Sequence, residues 1–309
     1  MIRTKRQGYE AVRILCKDGL PYSEVYTFQE QTPDHGIIVR NLFSLTGTRH
    51  EETLLASLPQ ALDLPLHPGY VSVGRVEHVG KYCQHFSEGD EILLSAQYGT
   101  YVAYDHVQPS STSVELLRKI TCTSDPLHNL FIPLVSLAIY LVEQIQDSQR
   151  EGIIFVGCGL LGAVLLQVLP LKLGEVNISV YRDGTDLKEE WLRGHGVDKV
   201  ITIPHALPTQ NAKESIVYIF TSSLWGNEAL SSSILNGAVC ISALYQMEDR
   251  MHFPWLDYDI VGEAVNILQT ESINLLDIIA QHVHADSVQQ TYRDIMSSRH
   301  HGKAIVYDW

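Results

Sequence analysis

The segment Gly157-Cys-Gly159-Leu-Leu-Gly162 constrains this chain more than any other. It has the spacing G-x-G-x-x-G, follows the apolar run Ile153-Ile-Phe-Val156, and opens a second apolar run at Leu160. A strand, a glycine turn and a helix in that order form the context in which this spacing binds a dinucleotide. Gly157 allows the tight turn, Gly159 lets the backbone approach a pyrophosphate, and Gly162 lets the helix pack closely on its sheet. The amides of Leu160 and Leu161 then face the phosphates at the helix N-terminus. The alternative is a strand–helix turn that holds no ligand.

The surroundings of the turn repeat its rhythm. Strands are expected at 152–156, 177–181, 199–203, 215–221 and 238–243, with helices at 160–173, 187–195 and 227–235 between them. This is the alternation of a doubly wound α/β sheet. Before it, residues 1 to about 120 read as short strands separated by Gly, Pro, Asp and Ser: 10–15, 36–43, 70–79, 90–94 and 99–104. That texture predicts an antiparallel, barrel-like β region. A short helix is expected at 53–62 and a long apolar one at 127–146. The tail adds a helix near 288–297 and a last strand at 304–308.

The end of the second strand of the α/β region selects the cofactor. An acid there binds the adenosine ribose hydroxyls, whereas an Arg accommodates a 2′-phosphate. Tyr181 stands at the usual acid position and Arg182 follows it. A phenol does not accept as a carboxylate does, and a guanidinium presents a fork of donors. NADP(H) is therefore favoured, with NAD(H) open if Asp183 takes the ribose role. Thr221, at the end of a later strand, joins Gly157, Gly159, Leu160, Leu161, Gly162, Tyr181 and Arg182 in the expected cofactor set.

The chain has 309 residues, 22 Lys and Arg against 36 Asp and Glu, and a formal charge of −14. Such an acidic balance argues against nucleic acid or an anionic membrane as partner and leaves a small-molecule substrate. The five cysteines (Cys16, Cys83, Cys122, Cys158 and Cys240) are odd in number and scattered, with no C-x-x-C pair. A disulfide framework is not expected, and a reducing, cytoplasmic setting fits. No signal peptide is read at the start, and no apolar run is long enough to span a bilayer.

Several segments resemble the medium-chain dehydrogenase/reductase superfamily. Phe43-Ser-Leu-Thr46-Gly47-Thr48 is similar to the loop before its catalytic site. Pro68-Gly69-Tyr70-Val-Ser-Val-Gly74-Arg75-Val76 is similar to its "GHE…G.V" segment, and Phe86-Ser-Glu-Gly89-Asp90-Glu91-Ile92 to its "F..GDRV" turn. Trp191 to Val200 and Gly302-Lys303-Ala-Ile-Val also match family patterns. Within the superfamily the chain resembles the bacteriochlorophyllide a dehydrogenase branch, on its Pro-Gly-Tyr-x-Ser-Val-Gly-Arg-Val run and an Asp-Trp ending. The resemblance implies a GroES-like β-barrel catalytic domain over 1–122, completed by 263–309, and a Rossmann dinucleotide-binding domain over 123–262. It also implies a homodimer joined at the apolar edge strand 238–243.

Many members of that superfamily hold a catalytic zinc. By the resemblance, the ligand positions fall on Thr46, Tyr70 with Val71, and Ile132, none of which is a zinc ligand. A zinc-independent oxidoreductase follows as the expectation. Without metal, a hydride transfer at a carbonyl or alcohol carbon needs an acid or base near the oxygen and donors aimed at developing charge. Tyr70 is the expected acid/base or oxyanion donor, with Thr46, Thr48 and His50 as relay. The alternatives are that the threonines only hold their loop and that Tyr70 is packing. Two further readings stay open: reduction of an activated C=C or C=N bond, and a nucleotide-binding protein without turnover.

Overall fold

The structure is a computed structural model. It describes residues 8–17, 20–28, 31–47, 69–105, 117–120, 125–145, 152–182, 187–202, 216–219, 239–242, 257–297 and 302–309. The strands in chain order are β1 (Tyr9–Lys17), β2 (Leu20–Phe28), β3 (Ile37–Gly47), β4 (Gly69–Val79), β5 (Glu91–Gln97), β6 (Tyr101–Tyr104) and β7 (Leu117–Lys119). They continue with β8 (Ile153–Val156), β9 (Ile178–Arg182), β10 (Lys199–Thr202), β11 (Ile216–Ile219), β12 (Val239–Ser242), β13 (Ile279–His284) and β14 (Ala304–Asp308). The helices are α1 (Pro126–Asn129), α2 (Ile132–Glu143), α3 (Leu160–Leu173), α4 (Glu189–Gly194), α5 (Tyr258–Gln269) and α6 (Val288–Met296). The helices expected at 53–62 and 227–235 lie outside the described residues.

The chain forms two compact units. One comprises Met1–Leu130, Ile279–Arg299 and Ala304–Trp309; the other comprises Phe131–Ile278 and His300–Lys303. These cuts differ from the boundaries expected at 122/123 and 262/263, for a packing reason. Helix α1 packs on β4 of the first unit, and α5 packs on α2 of the second. The single helix expected over 127–146 is two, α1 and α2, with Pro133 in the first turn of the second.

The first unit is a GroES-like β-barrel. Its main sheet has the order β13-β14-β3-β4-β5-β7, with β6 also paired to β3, and β1 and β2 form a separate antiparallel ribbon. Between Asn41 and Phe43 the register of β3 on β4 slips by one residue. A bulge of this kind reverses which side chains face inward beyond it. Ile37, Val39 and Asn41 lie on the inner face before it; Ser44 and Thr46 lie there after it. One end of the barrel interior is aliphatic, built from Ile37, Val39, Val76, Ile92 and Leu94. The other is aromatic, built from Tyr98, Tyr292 and Tyr307 with Ile14, Val288, Ile295 and Ile305. Each such buried side chain contributes about 1.5–3 kcal/mol relative to exposure.

The second unit is a Rossmann doubly wound parallel sheet. Its order is β10-β9-β8-β11-β12, and every neighbouring pair is parallel. The order runs outward in both directions from β8, so a topological switch point falls at its carboxyl end, where such sheets bind ligands. Helix α3 is apolar all round, with Ala163, Val164, Leu165, Leu166, Val168 and Leu169 buried. At its far end the Lys172 ammonium meets Glu263 of α5 at 2.7 Å and Glu143 of α2 at 3.7 Å.

Candidate functional site

The glycine turn stands at the switch point. Ile153, Phe155 and Val156 of β8 are buried, and the chain then turns at Gly157 with φ of 82°, a left-handed conformation that glycine adopts without strain. The Gly157 amide donates to the Tyr181 carbonyl at 2.7 Å, tying the turn to β9. Gly159 is extended (φ −91°, ψ −155°) and precedes α3 with no side-chain cap. The first helical bond runs from the Ala163 amide to the Gly159 carbonyl at 2.9 Å. The amides of Leu160, Leu161 and Gly162 therefore lie in the first turn, where a helix offers no partner of its own.

Among the described residues, a Cβ built on Gly159 would meet only the Gly302 carbonyl, at 4.0 Å. That room, with the amides of the first turn, fits the pyrophosphate of a dinucleotide. The turn is braced from two sides, by the Leu187 amide donating to the Cys158 carbonyl at 3.2 Å and by the backbone of Gly302. Gly302 has φ of 71°, and a Cβ on it would come within 3.0 Å of the Gly159 Cα. The sequence reading gave Gly302 no role here, since the contact joins residues far apart in the chain.

Tyr181 and Arg182 end β9. The Tyr181 side chain is buried, and burial pushes its phenol above the ordinary tyrosine value. Its contribution to the turn is its carbonyl, which leaves Arg182, partly exposed, as the side chain at the carboxyl end of the strand. Thr221 lies outside the described residues.

In the barrel unit, Thr46 and Tyr70 share the inner face on neighbouring strands. Thr46 stands opposite Ile305 of β14, and Tyr70 opposite Ala96 of β5. Thr46 is fully buried, whereas Tyr70 is partly exposed at the edge of the aromatic cluster. Burial holds the Tyr70 phenol above its ordinary value, so it carries its proton at neutral pH. Thr48 and His50 lie outside the described residues. Tyr98 is fully buried with its hydroxyl on the Leu45 carbonyl at 3.3 Å, and Tyr101 stacks on Phe28 on the opposite face of the sheet. Both are packing residues.

The donor set does not suit zinc. Thr46 and Tyr70 offer hydroxyls, and Val71 and Ile132 are buried hydrocarbon. Among the described residues, no three His, Cys, Asp or Glu side chains stand close enough to hold a metal ion. The polar groups of the inner face that sequence reasoning missed are Ser44 and Ser72, with the Trp309 indole bonded to Ser44. The inward orientation of Ser44 depends on the bulge, which leaves no sequence signal.

No family model matches the chain, and no curated protein does. Solved structures do. The 2R,3R-butanediol dehydrogenase of Bacillus subtilis superposes with a TM-score of 0.68 at 11% identity, covering 97% of this chain and 99% of that one. A protein of Sinorhizobium meliloti 1021 described as a zinc-binding dehydrogenase, bound to NADP, gives 0.66 at 12% identity, covering 97% and 100%. A protein of Bacillus thuringiensis described as an NADPH:quinone reductase gives 0.67 at 15% identity, covering 97% and 99%. At these identities the likeness establishes the fold: the chain has the two-unit fold of the medium-chain dehydrogenases and reductases.

Proposed function

We propose that the chain is a zinc-independent, NADP(H)-dependent oxidoreductase that moves a hydride to or from a carbonyl or alcohol carbon of a small biosynthetic intermediate in the cytoplasm. The observation that carries the reading is the glycine turn at the switch point of a parallel sheet, with room before Gly159 among the described residues and the first-turn amides of α3 beside it. The described residues contain no helix long and apolar enough to cross a membrane.

Leu160, Leu161 and Gly162 would hold the pyrophosphate by their amides, and Arg182 would take the 2′-phosphate. The nicotinamide, when bound, supplies or accepts the hydride. Tyr70 gives a proton to the substrate oxygen in reduction and takes it back in oxidation; its burial keeps it protonated for the first of these. Thr46 is too deeply buried to touch substrate. That burial also favours a second reading, reduction of an activated C=C bond, which asks less of donors at oxygen. A panel of ketones, alcohols, quinones and enones, followed by NADPH absorbance, tests both. Turnover of enones alone removes the first reading, and the absence of any NADPH or NADH affinity removes both.

A further inference from the structure

The inner face that carries Thr46 and Tyr70 holds a second polar row. Ser44 of β3 stands opposite Ser72 of β4 on one side and Tyr307 of β14 on the other. Thr46 and Tyr70 lie two residues further along the same strands and so on the same face. Both serines are fully buried, and their hydroxyl oxygens are 2.7 Å apart. The indole Nε1 of Trp309 donates to Ser44 Oγ at 2.7 Å. Trp309 is itself fixed, by its amide on the Leu42 carbonyl at 3.2 Å and by its ring against Tyr307, centroids 6.2 Å apart.

An indole N–H donates and never accepts, so this chain has a single polarity and cannot conduct a proton along its length. Three polar hydrogens are present, one on the indole and one on each serine, and two hydrogen bonds use two of them. With one lone pair of Ser44 taken by Trp309, Ser44 donates onward to Ser72, and the unspent hydrogen is on Ser72. The reverse arrangement makes Ser44 accept twice and strands its own hydrogen against the strand. Among the described residues Ser44 is the one side-chain partner of Ser72. A buried donor left without an acceptor is costly, so such a hydrogen is met by one.

We propose that Trp309, Ser44 and Ser72 form a one-way donor chain that ends beside Tyr70 and presents a hydrogen-bond donor to negative charge developing there. Ser72 is then a positioning residue for the Tyr70 phenol, acting through one ordered water, and Trp309 is its anchor. The proposal rests on the reading of Tyr70 as the proton-carrying group. A donor at the phenol oxygen favours the anion and opposes the upward push of burial. Among the described residues, the other titratable groups of the cluster that Tyr70 packs against are the phenols of Tyr98, Tyr292 and Tyr307. Helix α1, packed on β4, adds Asp125 and His128.

The test places 3-fluorotyrosine at position 70 of the full chain and follows its fluorine resonance with pH. Ser72→Ala is expected to move the resonance and to weaken the phenol as an acid about fivefold, the equivalent of one neutral hydrogen bond. Trp309→Phe, which keeps a ring and removes only the N–H, moves both in the same direction by less, and Ser72→Thr restores the parent values. If Ser72→Ala does not fold, the Trp309→Phe variant decides. Unchanged resonance and titration in a folded variant overturn the donor chain, whatever the activity. A shifted resonance in a protein that transfers no hydride upholds the chain and overturns the oxidoreductase reading instead.

Discussion

The backbone at Gly302 stands directly against the backbone at Gly159: a Cβ built on the one would come within 3.0 Å of the Cα of the other. Gly302 also has a φ of 71°, where an L side chain costs about 1–2 kcal/mol. Gly302→Ala is therefore expected to lower the thermal midpoint by several degrees and to displace the glycine turn. Calorimetry reads the first effect. A titration with NADPH reads the second, as a loss of affinity of about tenfold or more; an unchanged affinity would show that Gly302 braces the turn without shaping it.

Tyr70 is a partly exposed phenol on the inner face of the barrel, and burial holds its ionisation above the ordinary value near 10. Tyr70→Phe should lower kcat by about 10²–10⁴-fold, the usual worth of a positioned acid or base, while the NADPH dissociation constant stays put. The sign of the pH effect follows from the direction of the shift. The raised value keeps the acid form to higher pH, so reduction by the parent declines only above the ordinary tyrosine range. The variant loses that limb, which a kcat profile from pH 7 upward will reveal.

On the proposed reading Arg182 carries the cofactor preference, since the Tyr181 side chain beside it is buried in the sheet. Arg182→Ala should weaken NADPH by about tenfold or more, in line with a hydrogen bond to a charged group, and leave NADH nearly unchanged. Equal losses for both cofactors would move Arg182 from recognition to structure.

Strand β12 has β11 as its one partner among the described residues, and its sequence Val-Cys-Ile-Ser is mostly apolar. An open apolar edge is an invitation to pair. We expect a homodimer in light scattering at micromolar concentration. A charged substitution at Cys240 that leaves a monomer of unchanged thermal midpoint would locate the contact there.

Much of this was legible because local chemistry and tertiary structure agree. The apolar run, the glycines and the second apolar run gave β8, the turn and α3 with the observed helix bounds Leu160–Leu173, and the last strand likewise falls at Ala304–Asp308. Helix α5 was missed although Asp257 caps it, accepting from the Asp259 and Ile260 amides; it lies in a stretch before the tail to which the sequence reading gave no element. The site was less legible. Strict alternation from Ile37 and Val39 would turn Ser44 and Thr46 outward, and only the bulge between Asn41 and Phe43 brings them in beside Ser72 and Tyr70. Gly302 beside Gly159, and Trp309 on Ser44, join residues more than a hundred positions apart, which no periodicity encodes.

The turn between β4 and β5 gives the clearest acid-sensitive element. Gly89, at φ of 89°, lets the chain reverse so that the Asp90 carboxylate accepts the Ser87 amide at 2.9 Å, and its other oxygen meets the Lys119 ammonium of β7 at 2.7 Å. Burial pulls the Asp90 carboxyl upward, but the Lys119 and Ser87 hydrogen bonds and the Lys119 charge outweigh it and hold it below the ordinary carboxylate value. A carboxyl lowered on folding stabilises the native state fully above its unfolded value near 4, and that contribution disappears as the pH falls through the lower folded value. Asp90→Asn should therefore cost about 1 kcal/mol at pH 7. Denaturant melts of parent and variant should converge as the pH is taken below 4. A difference that persists undiminished to pH 2 would assign the cost to the shape of the turn and not to the charge of Asp90.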